Sequence, residues 1–256
     1  MEKKEYIYEY PRPAMTTDCV VVGFDGSQLK ILLIERGIEP YKGMWALPGG
    51  FIQENETAED CATRELKEET GLQVTTLKQL QLFSTVDRDP RGRVITMAFY
   101  ALVRSQEVHG GDDAANAQWF NIDQLPKLAF DHQEIITAAM QQLKRDIHFE
   151  PIGFNLLDTT FTIPQLQMLY ELILGVKFDR RNFPKKMLQF DIITPAEEQI
   201  GECYYGDHHE MKAMSIDALF SPEPIQHSRG RKPKKFLFNK TSYDKIKKDN
   251  DFKLEF

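Results

Sequence analysis

The 256-residue sequence contains only three cysteines, Cys19, Cys61 and Cys203, which are too few and too far apart for a disulfide framework or a structural zinc site. It has no apolar run near the roughly 18 to 20 residues that cross a bilayer, and its first residues, MEKKEYIYEYPRP, lack the apolar core of a signal peptide. We therefore expect a soluble cytoplasmic protein with reduced thiols and no membrane partner. With 41% hydrophobic and 28% charged residues, the composition excludes intrinsic disorder for most of the chain, and its length suits one or two domains.

The net charge of −7 conceals an uneven distribution of basic residues. The acidic excess lies in residues 1–149, whereas residues 150–256 are neutral overall and carry their basic residues in two clusters. One cluster consists of Lys177, Arg180, Arg181, Lys185 and Lys186, and Asp179 is the only acidic residue within it. The other cluster runs from Arg229 to Lys248. Two basic clusters on an acidic chain favour a nucleic-acid partner for the second half.

The first half alternates strand-like and helical patterns. Residues 18–24 and 29–35 are rich in branched apolar residues and are joined by a turn at Asp25-Gly26-Ser27, which predicts a hairpin. Residues 94–103 predict a further strand. Residues 57–70 predict a helix that ends at Gly71, and a second helix is expected to begin after Asp131 as its N-cap, with an apolar stripe from Ile135 to Leu143. This half therefore predicts a mixed α/β domain.

The second half changes character after the Pro and Gly near residues 148–154, so we place the domain boundary between residues 149 and 150. Thr162, Pro164 and Gly175 delimit one predicted helix, and Asp179 is the predicted cap of a second helix that reaches about Gln189. Two short helices joined by a tight turn resemble a helix-turn-helix. Pro184 is expected to remove one backbone hydrogen bond and to kink the second helix. A strand predicted at residues 234–240 follows a basic turn, as in the hairpin of a winged helix.

Acidic side chains crowd the helix predicted at residues 57–70. Glu68 and Glu69 lie three and four residues after Glu65, so the three carboxylates project from neighbouring positions and repel one another. Mg²⁺ or Mn²⁺ would relieve this repulsion, since both ions prefer carboxylate oxygens, and Arg64 could hold one carboxylate in place. The glycine pair Gly49-Gly50 allows a tight bend that brings the preceding strand against the helix. A solvated acidic face is the simpler explanation of any Glu-rich helix.

A longer pattern favours the metal site. Gly50 is followed after five residues by Glu56 and, after seven more, by Arg64-Glu65-Leu66-Lys67-Glu68-Glu69-Thr70-Gly71-Leu72. This run matches the Nudix box at every position, and the chain is identified by this resemblance as a Nudix family member. The resemblance implies an α/β/α sandwich, metal binding by Glu65, Glu68 and Glu69, their orientation by Arg64 and Glu56, and hydrolysis of a diphosphate linked to another moiety.

The residues around the box resemble the ADP-ribose pyrophosphatase branch of this family and its regulator relatives. Trp45-ALPGGFI precedes the box, and Gly111-DDAANAQWF and Asp131-His132 follow it. Many hydrolytic relatives carry a glutamate shortly before the Trp-Phe pair, where this sequence has Asn116, whose amide cannot accept a proton as a carboxylate does. Asp112, Asp113 or a side chain from another loop could replace that glutamate. His132 is interpreted as a capping or core residue rather than a catalyst.

Residues 151–157, 161–175 and 179–187 resemble the C-terminal winged helix of the Nudix-related transcriptional regulators of NAD metabolism and of arabinose and related sugars. This resemblance implies that Arg180, Arg181 and Asn182 meet base edges and that Lys185 and Lys186 lie nearer to phosphates. It also implies that a basic wing contacts the DNA backbone through Arg229, Arg231, Lys232, Lys234 and Lys235. Residues 195–228 read as an insertion before the wing. Cys203, His208 and His209 lack a fourth ligand at a suitable spacing for a metal site.

Two functions fit these features. In the first, a Nudix domain (1–149) senses a nucleotide-sugar or sugar-phosphate effector and a winged helix (150–256) binds operator DNA, as a homodimer whose twofold symmetry matches two half-sites. The effector would change how the two winged helices are spaced. In the second, the chain is a Mg²⁺-dependent (or Mn²⁺-dependent) pyrophosphohydrolase of ADP-ribose or a similar compound, and the C-terminal domain only mediates dimerisation. The two functions are compatible if the substrate of hydrolysis is also the effector.

Overall fold

We analysed a computed structural model, which describes residues 9–74, 76–104, 114–196 and 233–248. Contacts between Cα atoms divide the chain into two compact units. One comprises Met1–Gly23 and Lys30–Gln142, and the other comprises Phe24–Leu29 and Leu143–Phe256. Across the described residues, no helix combines the length and the apolarity needed to span a bilayer.

The first unit is built on a seven-stranded sheet. Its strands are β1 (Ala14–Phe24), β2 (Leu29–Arg36), β3 (Trp45–Ala46), β4 (Gly49–Phe51), β5 (Lys78–Phe83), β6 (Val94–Arg104) and β7 (Ala114–Asn121). The main order is β3-β2-β1-β6-β5, while β4 pairs with β1 and β7 pairs with β2. The predicted hairpin is confirmed as β1 and β2, and the Asp25 carboxylate closes its turn by accepting hydrogen bonds from the backbone N–H groups of Ser27 and Gln28. The predicted strand at residues 94–103 is confirmed as β6.

Helices α1 (Ala58–Thr70) and α2 (His132–Asp146) accompany this sheet. Thr57 and Asp60 form a capping box at the start of α1, and Gly71 ends it at φ 73° with its N–H donating to the Lys67 carbonyl, so both predicted ends are confirmed. The inner face of α1, including Cys61, Ala62 and Leu66, is buried. Ala62 and Leu66 belong to a core cluster that also contains residues of β1, β2 and β6. Glu69 is buried in the same helix, so this packing also fixes the acidic side chains of α1 relative to the sheet.

Helix α2 starts directly after Asp131, as predicted, and its apolar stripe is buried. The Asp131 carbonyl accepts the first backbone hydrogen bonds of the helix, from Glu134 and Ile135. The Asp131 carboxylate instead receives two hydrogen bonds from Arg88.

The second unit contains a helical pair followed by a small sheet. Its elements are a short 3₁₀ segment (Ile152–Leu156), α3 (Ile163–Leu174), α4 (Asn182–Gln189), β8 (Ile193–Pro195), β9 (Phe236–Phe238) and α5 (Lys240–Lys248). Thr162 caps α3 together with Gln165, Pro164 lies in its first turn, and Gly175 ends it at φ 72°, which confirms the predicted bounds. The rings of Tyr170 and Phe183 meet edge to face at 5.6 Å and hold α3 against α4.

Three expectations for this unit need correction. Helix α4 begins at Asn182, so Pro184 is its third residue, in the first turn, where a backbone N–H would have no helical partner and no kink follows. Asp179 precedes the helix by three residues, yet its carboxylate accepts hydrogen bonds from the backbone N–H groups of Arg181 and Asn182, as a cap would. The strand predicted at residues 234–240 is shorter, and a helix that was not predicted, α5, begins at Lys240.

The β-hairpin expected of a winged helix is represented by β8 and β9. These strands pair antiparallel, with Ile193 opposite Phe238 and Pro195 opposite Phe236. The predicted insertion at residues 195–228 and the wing residues Arg229, Arg231 and Lys232 lie almost entirely outside the described residues, as do Cys203, His208 and His209.

Candidate active site and DNA-binding surface

The first unit contains a cleft of about 550 Å³. Its walls are formed by the ends of β1 and β2, the strand β4, the acidic face of α1, and the segments around Arg88–Arg91 and Phe130–His132. The acidic groups of α1, with Arg64 among them, form one part of the lining, and Arg36 and Arg91, with Asp89 beside Arg91, form another.

Arg64 holds three of the carboxylates that the sequence singled out. Its guanidinium donates to both Glu56 oxygens at 2.9 and 2.7 Å, to Glu65 Oε1 at 2.8 Å and to Glu68 Oε2 at 3.0 Å. These hydrogen bonds lower the pKa of Glu56 to about 2 and raise the pKa of Arg64. The structure therefore brings Glu56, Arg64, Glu65 and Glu68 together, with Arg64 as the shared donor.

Glu69 is the most buried acidic side chain of this group, with 8% of its surface exposed. It receives one hydrogen bond, from the Gly49 N–H to Oε2 at 2.8 Å. Burial raises the pKa of Glu69 to about 8, and burial also raises the pKa of Glu65. For both carboxylates, the effect of burial on the pKa outweighs that of the neighbouring hydrogen-bond donors, Arg64 for Glu65 and the Gly49 N–H for Glu69.

The carboxylates of Glu65, Glu68 and Glu69 suit a divalent cation, although they are not arranged around a common point. Among the described residues, no three His, Cys, Asp or Glu side chains are arranged ready to hold a metal ion. The reason is local, because Arg64 engages Glu65 and Glu68, while Glu69 faces the Gly49 N–H. Hard carboxylate oxygens with raised pKa values fit Mg²⁺ or Mn²⁺, whose charge would replace that of the protons.

Gly49 and Gly50 permit close contact between β4 and its neighbours, directly after a bend at Pro48. Both lie in β4, where Gly49 is opposite Asp18 of β1. A Cβ atom at Gly49 would lie 2.0 Å from the Thr17 carbonyl oxygen, and one at Gly50 would lie 2.2 Å from Glu65 Oε1. The lack of side chains thus lets β4 lie against β1 on one side and against the acidic helix on the other.

Replacing these two glycines by alanine should give different results. Gly49→Ala collides with backbone, which cannot move aside, and we expect it to lower the free energy of unfolding by about 1–3 kcal/mol. Gly50→Ala collides with the end of the Glu65 side chain, so we expect a smaller loss of stability and weaker Mg²⁺ binding. Urea unfolding and calorimetric Mg²⁺ titration of both variants check this. Equal effects of the two variants on both quantities would contradict it.

The raised pKa of Glu69 predicts a pH dependence of stability in metal-free buffer. The carboxyl has an ordinary value of 4.5 when unfolded and about 8 when folded, so between these values only the folded state keeps the proton. The contribution of Glu69 to stability is therefore present below about pH 4.5 and is lost as the pH rises to about 8. Chemical unfolding at several pH values should show this decline in wild type, and Glu69→Gln should flatten it. An unchanged slope in the variant would show that Glu69 is not its source.

A buried ion network that no sequence pattern predicted borders the cleft. Arg88 donates to both Asp131 oxygens at 2.8 and 2.7 Å, and its Nη2 lies 3.4 Å from Asp18 Oδ2. His132 Nε2 lies 3.5 Å from Asp18 Oδ1, and its Nδ1 accepts a hydrogen bond from the Leu47 N–H at 2.8 Å. Burial lowers the pKa of His132, so the ring is neutral and serves as an acceptor in the core.

Another part of the cleft lining is basic and aromatic, and the sequence patterns did not predict it either. The guanidiniums of Arg36 and Arg91 lie 4.8 and 5.6 Å from the centre of the Phe130 ring, and Arg91 also lies 5.0 Å from the centre of the Phe51 ring. Asp89 pairs with Arg91, whereas Arg36 donates to the carbonyl oxygens of Pro40 and Ile38. Burial, followed by the charge of Arg91, lowers the pKa of Arg36. The arginine-rich run Arg88-Asp-Pro-Arg91 was the signal available in the sequence.

Asn116 lies outside the set of residues that line the cleft. It is exposed in β7 and pairs with Glu35 of β2. The side chain at this position therefore does not lie where it could act as a base in the cleft. Asp112 and Asp113 lie outside the described residues.

In the second unit, the residues predicted to contact DNA cluster around the start of α4. Arg180, Arg181, Asn182 and Lys185 are exposed, and Lys186 is half-buried. Asn182, Lys185, Lys186 and Gln189 border a groove of about 440 Å³ together with Phe178 and Phe183. Lys235 is exposed and Lys234 half-buried just before β9. An exposed helix start with this charge suits the major groove of DNA.

Comparison with known proteins agrees with both halves of this description. Residues 12–139 match the NUDIX domain, and residues 153–202 match the NrtR DNA-binding winged helix domain. The chain is 32% identical over 198 residues, 74% of its length and 78% of the relative's, to the ADPR responsive transcriptional repressor NtrR of Acinetobacter baylyi. It is 46% identical over 132 residues, 52% of its length and 76% of the relative's, to the ADP-ribose pyrophosphatase of Methanocaldococcus jannaschii. The crystal structure of Shewanella oneidensis NrtR complexed with a 27mer DNA superposes with a TM-score of 0.67 at 25% identity, covering 90% of this chain and 95% of that one.

Proposed function

Because the chain belongs to the Nudix family and carries an NrtR-type DNA-binding winged helix, we propose that it is a transcriptional regulator that responds to ADP-ribose. The observation that carries the proposal is the presence of both sites in one chain. A charged cleft with an acidic and a basic wall lies in the first unit, and an exposed basic helix start lies in the second. The proposed domains are residues 1–149 and 150–256.

The cleft suits a diphosphate compound bound together with a cation. Glu65, Glu68 and Glu69 would hold Mg²⁺ or Mn²⁺, and Arg64 and Glu56 would orient these carboxylates through the contacts described above. Arg36 and Arg91 present guanidiniums that can bind phosphoryl oxygens. The rings of Phe51 and Phe130 offer apolar faces to a base or a sugar. Free pentoses carry no charge to engage these walls, so ADP-ribose fits better than a free sugar.

The winged-helix unit is proposed to bind operator DNA through α4. Arg180, Arg181 and Asn182 at its start would contact base edges, and Lys185, Lys186, Arg229, Arg231, Lys232, Lys234 and Lys235 would contact phosphates. We propose a homodimer, because a twofold axis would present two α4 helices to two half-sites.

Hydrolysis is a second function that the cleft favours. Three carboxylates that the Nudix box supplies, those of Glu65, Glu68 and Glu69, line the cleft and could serve in proton transfer or metal binding. Water would be added across the diphosphate of ADP-ribose, giving AMP and ribose 5-phosphate. A bound divalent ion supplies charge neutralisation of the diphosphate and a lowered pKa of water. The chain's own groups would bind the ligand, position it, and accept the proton at a carboxylate such as that of Glu69.

The regulator proposal is tested with a duplex selected from a random pool by the purified full chain. We expect ADP-ribose to change the affinity for this duplex at least about fivefold, a typical lower bound of allosteric coupling. AMP, ribose 5-phosphate and arabinose serve as comparison ligands. An affinity unchanged by saturating ADP-ribose, at a concentration where calorimetry shows the cleft filled, would refute the proposed response. Mass measurement by light scattering tests the dimer in the same samples.

A further inference from the structure

Helix α5 lies outside the matched winged-helix region and carries basic side chains beside α4. It contains Lys240, Lys245, Lys247 and Lys248 but only one acid, Asp244. Lys240, Lys245 and Lys247 are exposed. In a chain with a net charge of −7, this helix is a local excess of positive charge.

Two hydrogen bonds place the start of α5 beside the end of α4. The Asn239 N–H donates to the Ile192 carbonyl at 2.8 Å, and the Ser242 hydroxyl donates to Asp191 Oδ2 at 3.0 Å. Asp191 is the second residue after α4, which ends at Gln189. The Asn239 side chain accepts from the Ser242 N–H at 3.1 Å and so caps α5. The first turn of α5 is therefore fixed next to the helix proposed to enter the DNA groove.

In the part of the chain that the structure describes, no ion pair joins the exposed lysines of α5 to an acidic side chain. Among the described residues, Lys240 and Lys245 have no ion-pair partner, and Lys247 has its Nζ 5.9 Å from the ring of Tyr243. Lys177, by contrast, is held by Glu171 at 2.7 Å. These exposed lysines place positive charge on one short helix, and charge of this sign suits a phosphate backbone.

We propose that Lys240, Lys245 and Lys247 of α5 contact backbone phosphates of duplex DNA next to the site occupied by α4. The inference rests on the proposed DNA binding and extends it to a helix beyond the matched winged-helix region. Phosphate contacts carry no base specificity, so α5 adds affinity and salt dependence rather than sequence preference.

The test measures how the affinity of the full chain for a random-sequence duplex depends on salt, without ADP-ribose. Each phosphate contact contributes about 0.9 to the slope of log affinity against log salt concentration. We expect Lys240→Gln/Lys245→Gln/Lys247→Gln to reduce this slope by about one to three. The matched control, Lys42→Gln/Lys67→Gln/Lys127→Gln, changes the net charge equally with exposed lysines of the other unit and should leave the slope unchanged. Circular dichroism confirms that both proteins are folded.

The outcomes separate this inference from the function on which it rests. Equal slopes for the two triple variants overturn the role of α5, even when Arg181→Ala still weakens binding. A change in the molecular mass of the α5 variant with an unchanged slope also overturns it, because the lysines then serve a protein partner. A reduced slope in a chain that ignores ADP-ribose supports α5 and refutes only the proposed response. Failure of the wild-type chain to bind duplex DNA refutes both.

Discussion

Replacing Glu69 by glutamine is expected to reduce hydrolysis of ADP-ribose by about 10²- to 10⁴-fold, the range typical for loss of a catalytic acid–base group. The side chains have the same size, and the glutamine oxygen can still accept the hydrogen bond that Gly49 donates to Oε2. The substitution therefore removes the charge and the proton acceptor while keeping the contact with β4. Release of AMP and ribose 5-phosphate in the presence of Mg²⁺ is the measurement.

Glu59→Gln provides the matched control, because Glu59 lies in the first turn of the same helix and is exposed. Its rate should stay within about twofold of wild type, since surface charges away from a site contribute little. If Glu69→Gln also turned over at the wild-type rate, the proposed role of Glu69 would be wrong. If wild type binds ADP-ribose without cleaving it, the cleft is a sensor, and the hydrolytic proposal fails while the regulator proposal stands.

The parts of the fold that local sequence determines were predicted correctly. Thr57 with Gly71 and Thr162 with Gly175 delimit helices through hydrogen bonds within a few residues, so their sequence alone identifies them. The grouping of Glu65, Glu68 and Glu69 likewise follows from helix geometry. Pro184 shows the limit, because its effect depends on whether the helix starts at residue 179 or at residue 182.

The missed parts of the site depend on contacts between distant residues. Arg88 meets Asp18 across 70 positions and Asp131 across 43, and no local pattern links these residues. The basic wall combines Arg36 at the end of β2, Arg91 before β6 and Phe130 before α2. The pairing of β8 with β9 joins segments about 40 residues apart in the chain. The place of α5 in the fold cannot be predicted without that pairing. Tertiary contacts, rather than propensity, decide these features.

Arg181→Ala is expected to weaken binding to a selected operator duplex by about 10- to 100-fold, which corresponds to about 1–3 kcal/mol for a contact to a base. Arg181 is exposed immediately before α4, and its backbone N–H is held by Asp179 at 3.0 Å, so the side chain is presented at the start of the helix. Removing the side chain leaves this capping hydrogen bond intact, because the bond uses only backbone. Fluorescence anisotropy at fixed salt gives the affinities.

Two further variants distinguish a base contact from general attraction to DNA. Arg181→Lys keeps the charge but loses the two-pronged guanidinium, so it should bind random duplexes as wild type does and still lose affinity for the operator. Lys177→Ala removes a nearby cation that Glu171 already neutralises, so it should change both affinities less than Arg181→Ala does. If Arg181→Ala lost the same factor on operator and random duplexes, Arg181 would contact phosphate, and base reading would fall to Arg180 and Asn182. If it lost nothing on either duplex, the start of α4 would not be the surface that enters the groove.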